Sequence, residues 1–263
     1  MITNSTLGFS GRLGNQMFQY AMLVGIKYKH GSEIILDEDI SKKSIYGFCE
    51  LTEYFTLKEC HFYNKRDIIA PHIFEEERFH FDSRFFKKIS DNMDFHGYFQ
   101  SEKYFEHCKD AVRKEFTFKP HIVAEAEKFL EPYKDKHLVS IHIRRGDYVP
   151  QPNFHPVCSI EYYKEAMKLF DDVQFVVFSD DISWCKENFA FKNVVYSENT
   201  SGVDMCIMSK CHDNIIANST FSWWASWLND SPSKKIVAPK IWFGPFYSHY
   251  DTSDLYQKNW ILV

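Results

Sequence analysis

The run HIRRGDY at 142–148 gathers groups able to do chemistry: His142, the adjacent Arg144 and Arg145, and Asp147. Consecutive side chains on an extended chain face opposite ways, so one arginine can address a ligand while the other ties down the loop, for instance through Asp147. A guanidinium suits a diphosphate, because its fork of donors matches phosphate oxygens and its charge does not titrate away. A second polar group, Asn218, Ser219 and Thr220, precedes Phe221 and two tryptophans. Its hydroxyls would cap a helix, and the same helix start would offer its first N–H groups to a phosphate. Asp180 and Asp181 are adjacent rather than spaced, which favours contacts to sugar hydroxyls or helix capping over metal ligation. Asp204 would sit well at a helix N-terminus, or as the acceptor for a guanine edge. Residues 8–16, GFSGRLGNQ, form a glycine-punctuated turn that carries Asn15 into a helix and matches a dinucleotide fingerprint only loosely. Cys206, Cys211 and His212 do not make a metal site, since a spacing of five puts the two thiols on different helix faces.

These groups need a frame. In the second half, short Val/Ile-rich runs at 137–143, 173–178, 193–196, 214–217 and 235–238 read as strands, and 160–170, 182–189, 203–210 and 221–228 read as helices. Strict alternation of the two predicts a parallel sheet covered on both faces. Ligands of such sheets bind beyond the carboxyl ends of the strands, where the motifs at 142–148, 179–181 and 218–221 fall. The first half is less regular, with a helix over 14–29, a strand over 33–36 and an aromatic, charged stretch over 46–84. Residues 1–7 are too polar to read as a strand, and the polar, helix-like segment 119–132, with proline near both ends, separates the halves and reads as the linker. The expected lobes are 1–125 and 126–263, with a cleft between them.

The 263 residues carry a net charge of −5, and no long Lys/Arg run stands out, which excludes a broad nucleic-acid or anionic-membrane footprint. Any phosphate site must be local. Apolar residues make up 44% and charged residues 25%, a globular composition. No secretory signal and no span of about 18 apolar residues is seen, so no integral membrane segment is expected. Seven cysteines without short paired spacings fit reduced thiols. The expected location is cytoplasmic, free or peripheral to the inner membrane.

Four segments together, GRLGNQMFQYA at 11–21, GYFQSEKYF at 97–105, HIRRGDY at 142–148 and IIANSTFSWW at 215–224, resemble the bacterial α-1,2-fucosyltransferases (glycosyltransferase family 11). They occur in the family's order and span most of the chain. The resemblance implies an α/β, GT-B-type, two-lobed Rossmann-like architecture with the donor bound by the parallel sheet of the C-terminal lobe. It implies inverting transfer of fucose from GDP-fucose to the 2-hydroxyl of a galactosyl residue in an oligosaccharide or polysaccharide, with no metal or other cofactor. Carried over by motif, Arg144 would neutralise the diphosphate, and His142 and Asp204 would lie near the guanine. Asn218 belongs to the same motif as Ser219, Thr220 and Phe221, which would hold phosphate and ribose. Asn15 would face the acceptor or the fucose. Asp147 and Asp180 are the candidate carboxylate bases. The alternatives are a GDP-sugar transferase of another sugar or linkage, and a non-catalytic glycan-binding module.

Overall fold

The computed structural model describes residues 1–40, 49–190 and 193–263. The chain forms two compact units: residues 1–119 with 250–256, and residues 120–249 with 257–263.

In the first unit the elements are β1 (Ile2–Thr3), α1 (Leu13–His30), β2 (Ile34–Asp37), α2 (Leu51–Tyr54), β3 (Cys60–Tyr63), β4 (His72–Glu75), β5 (Met93–His96) and α3 (Lys109–Glu115). The five strands make one parallel sheet in the order β3-β2-β1-β5-β4. Residues 1–7 therefore hold a strand that the sequence hid. Only Ile2 and Thr3 pair, yet both are buried and β1 lies in the middle of the sheet, so its neighbours supply the order that its polar successors do not. Long-range pairing overrides weak local propensity here. The aromatic stretch expected over 46–84 begins outside the described residues; within them it supplies β3, β4 and a cluster of Phe74 and Phe85 with Phe95, Phe99 and Tyr104.

Helix α1 is apolar nearly all round, and its residues from Leu13 to Ile26 are buried except Asn15, so it forms the middle of this unit's core. At Gly25 a Cβ atom would come within 1.9 Å of the Tyr104 carbonyl oxygen, so a side chain there would push the backbones apart. Gly31, at φ 74°, ends the helix in the left-handed conformation that glycine adopts at little cost.

The second unit holds α4 (Pro120–Leu130), β6 (Leu138–Ile143), α5 (Ile160–Met167), β7 (Gln174–Ser179), α6 (Ile182–Asn188), β8 (Val194–Tyr196), α7 (Ser201–Lys210), β9 (Asp213–Ile215), α8 (Thr220–Leu228), β10 (Ile236–Ala238) and β11 (Ile261–Leu262). The strand order β11-β10-β9-β6-β7-β8, all parallel, is that of a dinucleotide-binding fold, with a topological switch point between β6 and β9. All six residues of β6 are buried, as expected of a central strand covered on both faces. The helix-like segment read as the linker holds the boundary between the units, at 119/120, and is helical as α4, which packs on α7 and buries Ile122 and Ala126. Its amphipathic spacing gives it an apolar face, which a solvated linker lacks.

Candidate functional site

The switch point of the second sheet brings together the loop after β6 and the loop after β9. Arg144 sits between two carboxylates: one terminal nitrogen donates to Asp147 Oδ1 at 2.6 Å and the other lies 2.9 Å from Asp180 Oδ2. Its side chain is only 14% exposed, and the guanidinium carbon lies 5.5 Å from the centre of the Tyr148 ring. Arg145 is the arginine that ties down the loop, but through different partners from the Asp147 expected. Its Nε donates to Asp181 Oδ2 at 3.0 Å, and its guanidinium lies 3.8 Å from the Trp184 ring centre. The reason is register: alternate residues of the strand extension turn Arg145 toward α6 and Arg144 away from it.

Asp180 is the hub of this arrangement. Its second oxygen accepts the Arg145 backbone N–H at 2.9 Å, so one carboxylate fixes both the loop backbone and the Arg144 head. A Cβ on Gly146 would fall 2.5 Å from Asp180 Oδ2, which explains the glycine. Asp181 does the capping: it accepts the Trp184 N–H at 3.3 Å at the start of α6.

His142 is 4% exposed, and its ring centre stands 5.3 Å from that of Phe221. Burial, and then the charge of Arg144, hold its pKa far below the usual histidine value, so the ring is neutral at pH 7. Its Nδ1 is buried without a hydrogen-bond partner among the described residues. Such an orphan beside a cationic loop leaves its hydrogen bond open to a polar partner.

From the other side, the Tyr148 hydroxyl donates to the Asn218 carbonyl oxygen at 3.0 Å and latches the two loops together. The Asn218 amide donates to the carbonyl oxygens of Pro156 and Trp242, both at 2.9 Å, and its oxygen accepts the Cys158 thiol. Asn218 thereby brackets the loops around the site. Ser219 is the N-cap of α8, yet its side chain makes no capping hydrogen bond; it is 7% exposed and Thr220 opens the helix. A helix start not closed by its own cap side chain can offer its amides and dipole to an anion. Asp204 lies in the first turn of α7 and accepts the Ser197 hydroxyl. Burial raises its pKa to about 7, opposed by that hydrogen bond.

Asn15 belongs to the first unit. Its Oδ1 accepts the Gln100 side-chain amide at 3.0 Å, so the motif at 11–21 and the motif at 97–105 meet there. Gly11, at φ 84°, packs so tightly on Asn15 that a Cβ would lie 2.4 Å from its amide nitrogen. The loop runs from β1 into α1, where Glu50 accepts the Leu13 N–H at 3.0 Å. The strand-loop-helix context that the sequence lacked is therefore present. Sequence reasoning gave no role to Tyr148, Trp184 or Gln100; the signal for Trp184 was its place three residues after a capping aspartate. Among the described residues no group of three His, Cys, Asp or Glu side chains converges as a metal site.

A sequence model described as glycosyl transferase family 11 matches residues 2–263. The chain is 33% identical to an alpha-1,2-colitosyltransferase of Escherichia coli, over 89% of this chain and 90% of that one. It is 30% identical to the O-antigen biosynthesis glycosyltransferase WbnK of the same species, over 96% and 98%. To the galactoside alpha-(1,2)-fucosyltransferase 1 of Rattus norvegicus the identity is 28%, over 91% and 71%. Among solved structures, the alpha-1,6-fucosyltransferase NodZ crystallised with GDP superposes with a TM-score of 0.56 at 13% identity, over 85% and 91%. POFUT1 with GDP-fucose gives 0.54 at 13%, over 89% and 96%.

Proposed function

This chain belongs to glycosyl transferase family 11 and has a GT-B-type fold, and from that premise we propose that it moves fucose from GDP-fucose onto the 2-hydroxyl of a galactoside. The observation that carries the reading is the cluster at the switch point: Arg144 braced by Asp147 and Asp180, beside the orphaned His142 nitrogen and the α8 start. As the bond from the fucose anomeric carbon to the β-phosphate oxygen breaks, negative charge grows on the departing diphosphate. A fixed cation stabilises that charge more in the transition state than in the ground state. Arg144 takes this part, with the first turn of α8 as a second donor set, in place of a metal ion.

The acceptor oxygen forms its bond to the anomeric carbon from the opposite face, the configuration inverts, and GDP leaves. The hydroxyl proton passes to a carboxylate. Both carboxylates face Arg144, and Asp147 is the better placed of the two, because 47% of its side chain is exposed and Asp180 is held by the Arg145 backbone as well. His142 and Asp204 read the guanine, Asp204 accepting from its N–H edge. The acceptor galactose is suggested by the named activity of the rat relative.

A second sugar has support of its own, since the relative at 33% identity is a colitosyltransferase. Both readings are separated by one experiment: the purified chain is given methyl β-galactoside with either GDP-fucose or GDP-colitose, with and without EDTA, and the product linkage is read by NMR. A 1,2-linked fucoside formed equally fast in EDTA is the expected result. Turnover of GDP-colitose alone would move the assignment to the second sugar, and loss of turnover in EDTA would overturn the role given to Arg144.

A further inference from the structure

At the carboxyl ends of β1, β2 and β5, the first unit contains an open cavity of about 220 Å³, smaller than the ~300–1,000 Å³ of drug-sized ligand sites and on the scale of one small ring. Its place is the switch point of that sheet, where the strand order passes from β1 to β5. The floor is polar. Asp94, 9% exposed, accepts the Ser5 N–H at 2.8 Å, and its other oxygen lies 3.1 Å from His96 Nε2, whose ring is held in turn by Glu75 at 3.1 Å. Asp37 and Lys65 lie at the opposite side, and Leu7, Ile68 and Ala70 give an apolar wall.

Asn4 lines this cavity and is 3% exposed. Its Oδ1 accepts both the N–H and the hydroxyl of Thr6, at 3.0 and 2.7 Å. Because a backbone N–H can only donate, the amide cannot be flipped, and Nδ2 is the group left over. That nitrogen is buried with no hydrogen-bond partner among the described residues. An unmatched donor, two carboxylates able to accept, and one aliphatic wall complement a pyranose ring: an oxygen for the amide, adjacent hydroxyls for the carboxylates, and a C–H face for the wall. With two carboxylates against one ammonium among the lining residues, the cavity disfavours an anionic sugar.

We infer that this cavity binds a neutral hexopyranosyl residue, which, on the reading of the chain as a galactoside transferase, belongs to the acceptor glycan. The test is binding of methyl β-galactoside, followed by saturation-transfer NMR and calorimetry, with a methyl sialoside as the anionic control and GDP titrated in parallel. Two variants are compared with the parent chain: Asn4→Asp, which keeps the acceptor for Thr6 and removes the donor, and Ala70→Trp, which fills the cavity from a partly exposed site. The galactoside should bind and the sialoside should not, and each variant should weaken the galactoside at least ~10-fold, the worth of a hydrogen bond lost at a buried donor, with GDP affinity unchanged. Unchanged galactoside affinity in Ala70→Trp, folded by circular dichroism, overturns the inference, whatever the fate of Asn4→Asp. A parent chain that binds GDP and not the galactoside overturns the cavity alone. One that binds the galactoside and not GDP supports the cavity and overturns the donor reading.

Discussion

Replacing Asp180 by asparagine separates the holding of Arg144 from the binding of the nucleotide. The substitution keeps size and shape, and the retained oxygen can still accept the Arg145 N–H now bonded at 2.9 Å. The position facing Arg144 becomes an amide, which meets the guanidinium donor to donor across a gap that is 2.9 Å in the parent chain. A charge-assisted hydrogen bond contributes about 1.5–3 kcal/mol, and Asp180 is 22% exposed, so solvent screening takes only a part of it. At about 1.4 kcal/mol per factor of ten, the loss expected in kcat is roughly 10- to 100-fold. The ground-state effect has the opposite sign: removing one negative charge beside the diphosphate leaves GDP affinity equal or higher. Steady-state release of GDP from GDP-fucose with methyl β-galactoside gives kcat, and calorimetry gives the GDP dissociation constant. A weaker GDP complex with unchanged kcat would refute the reasoning, because it would make Asp180 part of nucleotide binding rather than the brace of a transition-state cation.

Asp204 gives a pH signature: its pKa of about 7 against an ordinary 3.8 means that, between those values, the folded chain keeps a proton that the unfolded chain has lost. Stability therefore falls as pH rises from about 4 to about 7, and Asp204→Asn removes that part of the fall. Urea unfolding at pH 4.5 and pH 8 should show the variant gaining on the parent at the higher pH; a pH-independent difference would contradict the shift. Gly25→Ala places a methyl group 1.9 Å from the Tyr104 carbonyl oxygen and should cost about 1–3 kcal/mol or more, read as a lowered melting temperature. Trp184→Leu removes the ring under Arg145, and about 0.5–2 kcal/mol of cation–π attraction with it, so calorimetry should show melting lower by several degrees. A parent-like melting temperature in either variant would refute the packing described for it.

The second unit was largely legible in the sequence because each of its strands but β11 follows a helix and most are rich in Val and Ile; the observed bounds of β6, β7 and β10 differ from the expected ones by no more than a residue at either end, and β11 was not expected. The placement of Arg144–Tyr148 and ANSTF beyond the strands followed from that alternation, His142 and Ile143 being the last residues of β6, and the strand order added the switch point. The first unit was opaque for two reasons. Its outer strands read CHFY and HIFE, mostly exposed and without the alternation or β-branched content that marks a strand. Its middle strand β1 is two residues long and owes its existence to partners distant in sequence. At the site, the residue types were legible but their division of labour was not. Which arginine anchors the loop, and which aspartate braces the other, depends on the position of α6 beside β6, a tertiary fact without a local signature.

The central claim is that a fixed guanidinium stabilises the departing diphosphate. Arg144→Ala, assayed for transfer from GDP-fucose to methyl β-galactoside with circular dichroism and melting temperature as fold controls, tests it most directly. The account expects a folded protein whose kcat falls by about 10²–10³ or more, the usual cost of losing a transition-state donor. A folded Arg144→Ala protein that retains parental turnover would contradict it.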